Sequence, residues 1–164
     1  SGTLNYAPTW ESPGKVKTDL IAQCDSGIYK NLGGARSGKA YSTIVLAYLY
    51  PNSDRFKNFR TYIQSELSRP LNMEKKYFVS FWVKFYPNSK AYSDAVGAFL
   101  SSIPITNEIN NLITAKPQVK NPQGRFLNDE NNWINVSNII IPDGGEKFIT
   151  IGNFNDENNT TIGG

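Results

Sequence analysis

The chain has 164 residues, with 17 basic and 14 acidic side chains for a net charge of +3, and is 39% hydrophobic and 13% aromatic. That length is one domain's worth, enough to bury about two thirds of its unfolded surface, and the composition lies outside the low-hydrophobicity, high-charge regime of disordered chains. Dispersed cations argue against a nucleic-acid partner, the absence of histidine removes the usual neutral-pH base and metal ligand, and no apolar run nears the roughly 20 residues of a membrane helix.

Cys24 is the only cysteine, which excludes an internal disulfide and a cysteine-clustered zinc site; it reads as a small buried side chain. Gly33-Gly34-Ala35-Arg36-Ser37-Gly38-Lys39 has the glycine and lysine spacing of a phosphate loop, but Ala40 stands where a magnesium-binding hydroxyl belongs. Residues 39–48 then alternate as a strand, whereas that loop opens a helix. Nineteen asparagines gather with Gly, Pro and Ser between apolar stretches, the punctuation of a loop-rich β protein. Six strands are expected, at 39–48, 59–67, 75–86, 95–102, 133–140 and 146–154.

The segment 59–67 also fits a helical spacing through Phe59, Tyr62, Ile63, Glu66 and Leu67; strand is favoured, and Pro70 ends it. Residues 75–86 show the clearest alternation. Tyr77, Val79, Phe81, Val83 and Phe85 point one way and Phe78, Ser80, Trp82, Lys84 and Tyr86 the other, as in a central strand. A short helical turn is expected at 89–94. Residues 107–123, with Pro117 and Pro122, read as a long loop with at most a short edge strand at 118–120. Pro142-Asp143-Gly144-Gly145 supplies a turn before the last strand.

The run Asn128-Asp129-Glu130-Asn131-Asn132 recurs as Asn155-Asp156-Glu157-Asn158-Asn159. Its oxygens suit calcium, but it lacks the alternating acids and fixed glycine of a calcium-binding loop, so both copies read as solvated turns. Glycoside hydrolysis needs a pair of carboxylates, and no strand carries two acids on one face. Aromatic side chains are the remaining chemical resource. Trp82, Lys84 and Tyr86 share a face with Ser80 and fit a wet sheet surface on which sugar rings stack; cover by a second sheet is the other reading. Arg60, Tyr62 and Gln64 are candidate neighbours if residues 59–67 lie beside 75–86, with Trp10 and Arg36 as loop candidates. Trp133 reads as a core anchor.

Two stretches carry a likeness: Tyr62-Ile63-Gln64-Ser65-Glu66-Leu67 with Tyr77-Phe78-Val79-Ser80-Phe81-Trp82-Val83, and Trp133 onward to Gly144-Gly145-Glu146-Lys147-Phe148-Ile149-Thr150-Ile151-Gly152-Asn153-Phe154. Over roughly residues 36–154 the chain resembles the galactose-binding-like jelly-roll modules, similar to carbohydrate-binding modules, of secreted and cell-surface proteins from gliding, polymer-degrading bacteria. The resemblance implies an all-β, two-sheet antiparallel jelly-roll β-sandwich, one domain over 1–164, exported and non-catalytic. The family's opening Asn-Pro-Ser-Phe-Glu-like and closing Asp-Asp-Val-like strands are not visible. The expectation is therefore a sandwich short of its outermost strands, an excerpt or one completed by another chain, with little room for the family's structural calcium. The function expected is binding of a glycan or polysaccharide without metal or cofactor; the alternative is a structural or adhesion module that assembles with other chains, by strand complementation among other routes.

Overall fold

The computed structural model describes residues 2–3, 9–14, 16–22, 34–48, 57–87, 89–106 and 112–164. Cys24 and Gly33 lie outside the described residues. Among the described residues all regular structure is extended, and every pairing is antiparallel. The strands are β1 (Gly2–Thr3), β2 (Trp10–Glu11), β3 (Asp19–Ala22), β4 (Ala40–Thr43), β5 (Ile63–Glu66) and β6 (Tyr77–Val83). They continue with β7 (Tyr92–Ser93), β8 (Gly97–Ser101), β9 (Val119–Lys120), β10 (Ile134–Ile140), β11 (Phe148–Gly152) and β12 (Ile162–Gly163).

The chain is an all-β antiparallel sandwich. One layer is a five-stranded sheet in the order β2-β5-β11-β8-β9, and the other centres on the β10–β6 pair. β10 and β6 run in register from Ile134 opposite Val83 to Ile140 opposite Tyr77. The pleat turns alternate residues inward, so Val79, Phe81 and Val136 of this pair meet Ala98, Leu100 and Ile151 of the five-stranded sheet in the main core. β1, β3 and β4 form a small sheet, and β7 pairs with β12.

The strand centred at 63–66 is a strand and not a helix, and the edge strand expected at 118–120 forms at β9. Two expectations change. β6 is not the central strand, because among the described residues it pairs with β10 alone; the centre is β11, flanked by β5 and β8. The sequence difference is visible in burial: β6 alternates half-buried and exposed along its length, whereas β11 keeps Thr150 buried on the face opposite Ile149 and Ile151. Residues 92–93 are extended and hydrogen-bond to the C-terminal strand, with Ser93 Oγ donating to the Thr161 carbonyl at 2.7 Å. Among the described residues Ser89 N–H donates to the Tyr86 carbonyl, a single turn before this strand. The outer positions of the five-stranded sheet are taken by the chain's own β2 and β9, each two residues long and too short to carry a periodic signal.

Local chemistry fixes the joints. Gly144 and Gly145 adopt φ of 101° and 86°, where a side chain is strained, and the buried Glu146 carboxylate accepts hydrogen bonds from the Asp143 and Gly144 amides at 2.8 and 3.0 Å. At Gly152 a Cβ would stand 2.3 Å from Tyr62 Cδ1, so glycine is what lets the tyrosine ring lie flat on the sheet. Tyr62 belongs to a second apolar cluster with Ile113 and Phe154.

The loop at 34–39 leads straight into β4, with Gly38 at φ of 69°, so no helix follows it and the phosphate-loop geometry is not formed. In the Asn-Asp-Glu-Asn-Asn repeats the same cap forms twice. Asp129 Oδ1 accepts from the Asn132 amide at 2.8 Å while its Oδ2 accepts from Asn132 Nδ2 at 3.0 Å, and Asp156 Oδ1 accepts from Asn159 N and Nδ2 at 2.9 and 2.7 Å.

Candidate functional site

The alternation of β6 places Phe78, Ser80 and Trp82 on the face turned away from the core. Trp82 is 39% exposed, and Tyr86, beyond the strand's end, is 36% exposed. Arg36, reaching over from the loop before β4, lays its guanidinium on the indole with Cζ 3.7 Å from the ring centroid. Across the register Asn135 stands opposite Trp82 and donates from Nδ2 to Ser80 Oγ at 2.7 Å. Arg125 donates in turn to the Asn135 carbonyl at 3.1 Å. One guanidinium therefore lies on Trp82 and a second is bonded to the main chain of its partner Asn135. Farther along, Phe78 and Ile139 face each other across the strands, 68% and 61% exposed.

Behind this surface a cavity of about 570 Å³ opens between residues 41–47 and the end of β6, lined among others by Trp10, Tyr41, Trp82, Lys84, Tyr86 and Trp133. Tyr41 and Trp133 meet edge to face with centroids 5.8 Å apart. The Tyr41 hydroxyl is buried and has no hydrogen-bond partner among the described residues. Burial, and then the nearby Tyr86, push its pKa above the ordinary phenol value. Trp10 is half-buried on β2, so it lines the cavity from within the fold and does not ride on a mobile rim. At the outer end of β6, Asp129 is held below the usual carboxylate range, chiefly by the Asn132 and Asn131 amides, with the Lys84 cation contributing.

Arg60, Tyr62 and Gln64 do not join this site. β5 pairs with β2 and β11 in the other layer, so the adjacency to β6 that would unite them is not formed. Their relative exposures are 1%, 1% and 0%. Gln64 Oε1 accepts from the Ile105 amide and the Thr150 hydroxyl, both at 2.9 Å, while Nε2 donates to Glu11 Oε1 at 2.7 Å and to the Ile105 carbonyl at 3.3 Å. Tyr62 Oη donates to the Asn153 carbonyl at 2.6 Å and accepts from the Ile113 amide at 3.1 Å. Burial pushes the Tyr62 pKa up to about 12. Arg60 donates to the Phe59 carbonyl and to Thr160 Oγ1, and burial lowers its pKa. These three side chains fasten the segments that cover the five-stranded sheet.

Sequence reasoning missed Tyr41, Asn135 and Arg125. Tyr41 and Asn135 sit within expected strands, but their place beside Trp82 follows from long-range register, which a single sequence does not encode locally. Comparison with family models, with curated proteins and with solved structures gives no match. Among the described residues there is no helix long and apolar enough to cross a membrane, and no group of three His, Cys, Asp or Glu placed to share a metal ion.

Proposed function

We propose that the protein is a non-catalytic glycan-binding module of a secreted or cell-surface protein, taking its ligand on Trp82 and Tyr86 at the mouth of the aromatic cavity. The observation that carries this reading is the exposure of both rings, with Arg36 on the indole and Lys84 between them in the chain, while the other candidate row of Arg60, Tyr62 and Gln64 is buried. Sugar rings offer C–H patches to flat aromatic faces and hydroxyls to side-chain donors, and this surface presents both. The guanidinium occupies one face of the indole, so a sugar takes the other face or the exposed edge. Tyr41 Oη offers a hydrogen bond to a group entering the cavity. The resemblance to jelly-roll modules supports the same reading.

Affinity per site is weak, because an open surface buries little ligand against the cost of immobilising it. A pull-down on a panel of insoluble polysaccharides tests the proposal. Retention on at least one polymer should weaken about tenfold in Trp82→Ala, the loss of one stacking contact of roughly 1.4 kcal/mol; failure to bind any polymer refutes it. The exposed Phe78–Ile139 pair favours a second reading, protein assembly on this face. Under that reading a protein partner co-purifies, is lost in Phe78→Ser and needs no glycan.

A further inference from the structure

Resting on that reading, we infer that the glycan is polyanionic, an acidic sugar polymer whose carboxylate or sulfate groups are held by the guanidinium of Arg36 on Trp82 and by Arg125 and Lys120 in the hollow beside Asn135. Cation placement carries this. Arg36 lies on the indole, and Arg125 anchors to the backbone of Asn135, the residue paired with Trp82. Lys120, on β9, lines a polar surface hollow together with Arg125, Ser137 and Asn138 along the edge of β10 away from β6. Lys84 and the exposed Lys76 bracket β6 at its two ends.

No acidic residue lies within β6 or β10. Asp129 is close enough to Lys84 for their charges to interact, but its carboxylate is already occupied by the amides of its own loop, and Asp94, near Arg125, accepts from the Gly124 amide. The surface therefore joins a stacking ring and an amide to two guanidinium groups, with ammonium groups at the ends of β6 and in the neighbouring hollow. Guanidinium groups present planar donor forks that match carboxylate and sulfate oxygens, and a neutral sugar has no use for so many cations. The chain's net charge of only +3 makes the local excess a property of this face more than of the whole molecule.

The test measures binding of the full chain to polygalacturonate, to the same polymer with its carboxyl groups reduced, and to a sulfated galactan. The acidic polymer should bind about tenfold more tightly than its reduced form, the value of one charge-assisted contact. That preference should fall between about 0.05 M and about 0.5 M salt as screening sets in. Arg36→Gln and Lys120→Gln, both on exposed positions, should each erase much of the preference while circular dichroism stays unchanged, and a gain on the sulfated polymer alone would assign sulfate as the anion. Equal, salt-insensitive binding of the reduced polymer overturns the inference and leaves the glycan reading standing. Equal binding of polyglutamate, or undiminished polygalacturonate binding by Trp82→Ala, also overturns it, since ion exchange would then suffice. Retention of none of the polymers, charged or neutral, removes both.

Discussion

Two rows of side chains in this protein look alike in the sequence and end in opposite surroundings. Arg60, Tyr62 and Gln64 on and before β5 alternate with apolar residues much as Trp82, Lys84 and Tyr86 do at the end of β6. Gln64 is wholly buried, whereas Trp82 keeps 39% of its surface. The difference lies in what crosses each sheet. Ile105 and Ile113 lie over the first row and are held to it by Gln64 and Tyr62 through main-chain hydrogen bonds. Over the second row only the Arg36 side chain stacks on the indole among the described residues. An aromatic and polar row therefore stays open to solvent only where no other part of the chain uses its hydrogen-bonding groups.

The sharpest break of this contrast is Gln64→Leu. It strands the Ile105 amide and carbonyl and the Thr150 hydroxyl together, and should cost about 3 kcal/mol in urea unfolding, since each buried unpaired polar group costs roughly 1–3 kcal/mol. A loss under about 0.5 kcal/mol would mean that the cover is not fastened there. Next comes Tyr62→Phe, expected to cost about 2 kcal/mol at neutral pH for two lost hydrogen bonds. The same residue sets an alkaline limit. Burial raises its pKa from the ordinary phenol value of about 10 to about 12 on folding, so the unfolded chain loses its proton first. Stability from this group is intact below pH about 10 and falls as pH climbs toward about 12, by roughly 2–3 kcal/mol. Unfolding midpoints at pH 9, about 10 and about 11 should decline in the parent and decline less in Tyr62→Phe. The smallest effect belongs to the open row: Trp82→Ala should change stability by no more than about 1 kcal/mol, the scale of an exposed cation–π contact. A larger loss would show that the ring supports the fold.

How much of this was legible depended on range. The alternation of residues 75–86 gave the direction of every side chain in β6, because the pleat is a local property. The pairing of β6 with β10 was not legible, since the residues meet across more than fifty positions of chain and their register is fixed by packing. Expecting β6 at the centre of a sheet confused a strong pattern with a buried one; β11 occupies the centre with a less regular one. The covering of Tyr62 and Gln64 depends on hydrogen bonds from residues 105 and 113, which carry no periodic signal. Trp82 and Tyr86 proved exposed, a choice alternation alone left open. Arg36 was a candidate from its loop, but its seat on Trp82 emerged only from the fold.

Gln118 has a consequence for how this molecule keeps to itself. The β8–β9 ladder pairs Gly97 with Lys120 and Ala98 with Val119 and goes no further, because the chain before it turns aside and Pro117 packs against Gly97. Gln118 fills the gap with its side-chain amide: Nε2 donates to the Leu100 carbonyl at 3.1 Å and Oε1 accepts the Leu100 N–H at 2.9 Å. At that rung a foreign strand finds neither a donor nor an acceptor to dock on. The main-chain ladder stops at Val119 and the glutamine side chain carries it one rung on, which guards this margin of the sheet against sticking to its own copies at high concentration.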